Sequence, residues 1–229
     1  MSAARLDDAL ARLHAAARPD QLAALARFGL TGDTRLGLAV PTLRALGREF
    51  RRDHPLALAL WDTGIPDAQI LASLVAEPAR FTVAQMDQWV AGLQAWDVCD
   101  QACLNAFVKS PLAWAAIPRW AAREAEFERR AGFSLLAVAA VHQKSRPDAD
   151  FLAALPLIEA ASGDDRNFVK KAVNWALRQI GKRSPALREP ALTLAEELCS
   201  REVPSARWIG HDARRELLRV AQRAGENRL

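Results

Sequence analysis

The chain is poor in the residues that usually mark a metal centre or a cross-linked scaffold. Cysteine occurs three times, at Cys99, Cys103 and Cys199. An odd count without paired spacing excludes a disulfide framework. Cys99 and Cys103 stand one helical turn apart, but a structural zinc takes about four ligands. The four histidines (His14, His54, His142 and His211) are scattered singly. No metal site is expected, and the cysteines read as small buried residues of a reduced compartment. No apolar run approaches the ~20 residues that cross a bilayer. Met1 to His14 carries Arg5, Asp7, Asp8 and Arg12, too much charge for the apolar core of a signal peptide. The expected location is cytoplasmic. No Gly/Ser-rich linker or low-complexity tract interrupts the chain, so residues 1–229 read as a single domain.

Acidic residues are missing from one stretch in particular. Between Arg166 and Arg188 there are seven basic residues and no acidic one. The net charge of +4 is only mildly basic. It is therefore the local run, more than the total, that points to an anionic partner.

Sustained period-two alternation is also absent, which argues against strands, while alanine and leucine dominate. The pattern predicts helices at about 4–17, 20–28, 41–53, 55–63, 67–77, 83–94, 98–109, 112–121, 124–142, 149–162, 165–182, 186–201 and 205–224. Pro41 suits a helix start, where a missing N–H costs nothing. Thr82 precedes the helix carrying Met86, Trp89 and Val90, and Gly163-Asp164-Asp165 places carboxylates at the positive end of the next helix. Many short helices with brief connections suggest antiparallel pairs of about 35–40 residues stacked side by side. A compact irregular helical domain fits the same pattern.

Three segments hold the chemistry. In the first, Val169, Val173, Ala176 and Ile180 form a buried helical stripe. Lys171, Trp175, Arg178 and Lys182 repeat that spacing about 200° around the axis, so an indole lies among cations away from the core. One account has the stems of Lys171 and Arg178 covering a partly buried Trp175. The other is a phosphate-binding row with an aromatic platform, the usual means of holding a nucleic-acid backbone and exposed bases. In the second segment, Trp96 and Asp100 are four apart and share a helical face. Asp97 is expected to be the N-cap with Asp100 at N3, leaving the Asp100 carboxylate available for another task. In the third, Arg130 precedes small neighbours, Ala131 and Gly132, that would admit a bulky partner; a surface ion pair with Glu126 fits equally well.

Together these segments resemble the AlkD-like DNA alkylation repair family, the HEAT-like-repeat DNA glycosylases. The resemblance runs from about Gly37 to the C-terminus. It rests on Val40-Pro41-Thr42-Leu43-Arg44, Trp96-Asp97-x-x-Asp100, Arg129-Arg130-Ala131, and the run from Phe168 to Arg178. It implies an all-α superhelical solenoid of HEAT-like helix pairs whose basic concave face wraps duplex DNA. It assigns Asp100 as the catalytic carboxylate, Trp96 and Trp175 as the cleft tryptophans, and Arg130 as the cleft arginine holding a phosphate. Arg44, Lys170, Lys171, Arg178 and Lys182 are the further cations expected on the DNA backbone. The chain departs from the family at Ala95, where a second aromatic is frequent, at Val98 and Cys99, and in having no tyrosine.

The activity implied is hydrolysis of the N-glycosidic bond of cationic alkylpurines, 3-methyladenine and 7-methylguanine, in duplex DNA. The expected protein is a monomer working without a cofactor and without a membrane partner. A non-catalytic HEAT-like protein that recognises damaged or branched DNA is the alternative, and a protein-binding scaffold is the third reading.

Overall fold

The computed structural model describes residues 3–226, with side chains to 223; the expected domain span of 1–229 runs past these limits at both ends. No strand occurs among the described residues, and the fold is all-helical. The chain forms two compact units, residues 1–113 and 114–229.

The first unit contains α1 (Ala3–Ala15), α2 (Leu22–Ala26), α3 (Val40–Phe50), α4 (His54–Asp62), α5 (Pro66–Val75), α6 (Val83–Ala91) and α7 (Trp96–Asn105). Pro41, Pro55 and Pro66 all sit in first turns, where no N–H is required. Thr82 caps α6 in a reciprocal box with Gln85. α5 packs on α3, α4 and α7, and an aromatic cluster fills the interior. Trp61 stacks on Trp89 with centroids 4.1 Å apart, and Phe81 meets Trp89 edge-on at 4.9 Å. Trp61 and Trp89 are buried packing residues.

The second unit contains α8 (Ala113–Ala121), α9 (Glu126–His142), α10 (Asp148–Ala153), α11 (Leu155–Ala161), α12 (Asn167–Arg183), α13 (Pro185–Cys199) and α14 (Pro204–Glu226). The single helix predicted over 149–162 is broken at Ala154, just before Pro156, which sits in the first turn of α11. Counting α10 and α11 as one position, α12 packs on its neighbours α11 and α13 and on the next but one on either side, α9 and α14. This is the contact pattern of stacked helical hairpins. The Val169, Val173, Ala176 and Ile180 stripe is fully buried. Trp120 is buried, while Trp114 lies between Arg146, 4.3 Å from its ring, and Phe151.

Gly132 reports a correction. The small residues after Arg130 do not leave room for an external partner. A Cβ at Gly132 would stand 2.9 Å from Ala121 Cα and still closer to Ala121 N, so the space is taken by the end of α8.

Candidate nucleic-acid interface

In the first unit the site is built around the start of α7. The helix begins at Trp96, two residues earlier than the hydrophobic pattern predicts, with extended Ala95 as its N-cap and no side-chain cap. Asp97 is therefore not the N-cap, nor Asp100 its N3 partner. The Asp97 carboxylate has a stronger claimant: Arg35 reaches it through two nitrogens, at 2.7 and 3.1 Å. The Arg35 side chain is 3% exposed. A planar guanidinium matches a carboxylate in this two-pronged way, and burial makes the match strong. Trp96 and Asp100 remain one turn apart on α7 and both are partly exposed.

Arg35 belongs to the segment between α2 and α3, which is fixed at several points. The buried Asp67 carboxylate accepts the Leu36 and Leu38 N–H groups at 2.7 and 2.8 Å. Gly37 takes φ 79°, and a Cβ there would lie 2.5 Å from the Arg18 carbonyl oxygen. The Trp96 indole N–H donates to the Phe28 carbonyl at 3.0 Å. Phe28 itself is 68% exposed, so a well-anchored segment holds an apolar ring in solvent beside Trp96. Sequence reasoning missed Phe28, Arg35 and Asp67. The local signal for the first two is a pair of glycines, Gly29 and Gly32, followed by the polar stretch Asp33-Thr34-Arg35. Arg44, on α3, is exposed.

In the second unit, α12 carries the basic run, and most of it is already engaged. Arg178 meets Glu216 of α14 at 2.5 Å and Asp212 at 3.6 Å. Lys182 also pairs with Glu216. Burial works against the charge on Glu216, but Lys182 and Arg178 outweigh it and hold its carboxyl below the usual range. Arg183 spans the end of α9, donating to the Ala140, Gln143 and Arg146 carbonyls and to Asp148, so it satisfies orphan carbonyls at a helix C-terminus. Arg166 binds Asp164 and the Glu124 carbonyl. Lys170 lies over the ring of Trp208, 5.2 Å from its centroid, and Trp208 is 40% exposed. Lys171 is exposed and Trp175 partly so.

Arg130, expected to hold a phosphate, is 5% exposed and donates from Nη1 to the Phe168 carbonyl at 2.7 Å. What it does here is tie α9 to the start of α12. Arg129 ties the same region together through the Ala121 carbonyl and Asp164. Asn174, buried on α12, donates to Asp212 at 2.8 Å and helps fix α14 alongside.

Among the described residues no group of three histidine, cysteine or acidic side chains is placed to hold a metal ion, and no helix is long and apolar enough to cross a membrane. Trp96 and Asp100 thus stand in the first unit, and Trp175, Arg130 and the α12 cations in the second.

Comparison with known proteins bears on both. A solved structure described as "a new family of proteins related to the HEAT-like repeat DNA glycosylases with affinity for branched DNA structures" has the same fold. Its TM-score is 0.77 at 17% identity, over 92% of this chain and 94% of that one. No curated protein matches. The family model for the DNA alkylation repair enzyme matches residues 9–217. With that match over most of its length, the chain belongs to the DNA alkylation repair enzyme family.

Proposed function

We propose that the protein is a DNA glycosylase that hydrolyses the N-glycosidic bond of cationic alkylpurines, 3-methyladenine and 7-methylguanine, in duplex DNA. The observation that carries this reading is the α7 arrangement. Asp100 stands one turn from Trp96 on a helix start held by the buried Arg35–Asp97 pair. Asp97, on the same helix start, is paired with Arg35.

The chemistry suits so sparse a set. Alkylation at N3 or N7 leaves the purine positively charged, so it departs without a general acid. The sugar passes through an oxocarbenium-like state. The Asp100 carboxylate stabilises that charge and orients the attacking water. Trp96 holds the lesion nucleotide through CH–π and cation–π contacts, worth ~0.5–2 kcal/mol, and Trp175 offers the same kind of contact to DNA on the second unit. Lys171, exposed on α12, and Arg44, exposed on α3, contact the DNA backbone. Lys170 contributes at the edge of Trp208. Arg130 enters by fixing the helix that carries Trp175.

The test is single-turnover release of both bases from methylated duplex DNA. Release on the timescale of the assay supports the reading. DNA binding without release sinks it for these lesions.

One observation favours a second reading, a non-catalytic protein that recognises damaged or branched DNA. Arg178 and Lys182 are paired with Glu216, and Arg130 is buried, so the groups expected to grip the lesion strand are less available than their residue types imply. The similar structure belongs to a family described by its affinity for branched DNA.

A further inference from the structure

α14 carries a feature that the proposed function leaves unused. Arg215, Arg219 and Arg223 follow one another at intervals of four, one helical turn each, and all three are exposed. They line an open groove of about 500 Å³ that they share with Arg178 and Lys182 of α12. The groove's two carboxylates are already committed. Glu216 holds Arg178 and Lys182, and Asp212 holds Asn174 and Arg215. Arg219 and Arg223 make no ion pair among the described residues. Five cations against two carboxylates leave a surplus of three positive charges, concentrated along the outer helix.

We propose that this α14 row is a backbone-binding track for duplex DNA, distinct from the residues assigned to the lesion. It rests on the DNA reading above and adds where the duplex runs on the second unit. Three arguments carry it. Arginine presents a planar fork that pairs with phosphate oxygens in two-pronged fashion, and the exposed Arg219 and Arg223 serve no ion pair among the described residues. Four residues of helix advance ~6 Å, so the row spans about 12 Å. Each strand carries one phosphate per ~3.4 Å of duplex axis, so that length measured along the axis corresponds to about three phosphates of one strand. Finally, Glu216 and Asp212 do not compete for the outer arginines Arg219 and Arg223, because α12 and Arg215 already occupy them.

The experiment measures binding of an undamaged duplex across a salt series for the full chain and for Arg219→Gln/Arg223→Gln. Each lost phosphate contact lowers the slope of log affinity against log salt by about 0.9. The double variant is therefore expected to lose about 1.8 of slope and roughly tenfold in affinity at low salt. Arg219→Lys/Arg223→Lys, which keeps the charge, retains most of the slope. A matched control, Arg207→Gln/Arg214→Gln, removes two exposed arginines of the same helix that contact the Glu202 carbonyl and Glu196 instead. It should leave the slope nearly unchanged.

Equal loss in both pairs would show that net charge alone matters and would overturn the track. So would an unchanged slope in the Arg219/Arg223 variant. If inorganic phosphate displaces nothing beyond what chloride displaces at equal ionic strength, the ligand is the polyanion. Phosphate that binds the strip at millimolar level, with no effect of the variant on DNA, would assign it to a small anion and end the proposal. A wild type that binds no duplex at all would remove the DNA reading itself, and the track with it.

Discussion

The start of α7, in the first unit, and the exposed face of α12, in the second, each carry a partly exposed tryptophan, and they are stabilised in opposite ways. At α7 one ion pair is buried and two-pronged, and it fixes a segment that packs against Trp96. At α12 the ion pairs are about 30% exposed and join neighbouring helices across a wet groove. The first is a rigid mount, costly to break. The second is a set of exchangeable partners: a phosphate can replace Glu216 on Arg178 or Lys182 with little structural loss. Under the proposed function a mount for the reacting group and a movable surface for the backbone are different requirements, and the two regions differ in the corresponding sense.

The comparison breaks most severely at Arg35. Arg35→Ala leaves the Asp97 charge without its partner in a largely buried position, and truncating one side of such a pair costs ~3–5 kcal/mol. A large fall in melting temperature is expected, with DNA binding by the second unit's cations retained wherever the fold survives. A melting curve close to wild type would mean that this pair is no mount.

A smaller effect distinguishes the second unit. Asp164 is held below its ordinary 3.8 chiefly by the hydrogen bond from Arg166, with burial opposing and Arg129 assisting. Its carboxyl takes up a proton more readily unfolded than folded. The stability it contributes is thus complete above pH ~4 and lost as pH falls through the lower folded value. Asp164→Asn should reduce stability at neutral pH and flatten the acid side of the stability profile. An acid limb as steep as wild type would place that sensitivity elsewhere.

The smallest stability effect is expected at Glu216. Its pairs are partly exposed and screened, worth ~0.5 kcal/mol each at most. Glu216→Gln should barely move the melting temperature yet release Arg178 and Lys182, steepening the salt dependence of duplex binding by about one to two. If instead stability falls sharply and DNA affinity does not rise, α12 is as fixed as α7 and the contrast fails.

Much of this was legible in the chain. The buried stripe of α12, the proline starts, the Thr82 cap and the packing role of Trp61, Trp89 and Trp120 follow from periodicity and local chemistry. The family followed from four short motifs. What was hidden is non-local. Asp97 looked like a cap because capping is a local property, whereas Arg35 reaches it from 62 residues away. The α12 run looked bare of acid because Glu216 lies 38 residues beyond Arg178. Arg130 looked accessible because its neighbours are small, yet their smallness serves the close approach of α8.

The most direct test of the central claim compares Asp100→Asn with the wild type in single-turnover release of 7-methylguanine from methylated duplex DNA, with binding measured on the same substrate. If Asp100 stabilises the oxocarbenium-like sugar as the base departs, the variant binds DNA as before and releases base about 10²–10³-fold more slowly, the usual cost of losing one electrostatic stabiliser. Equal release by variant and wild type would contradict the role given to Asp100 and move the chemistry away from α7.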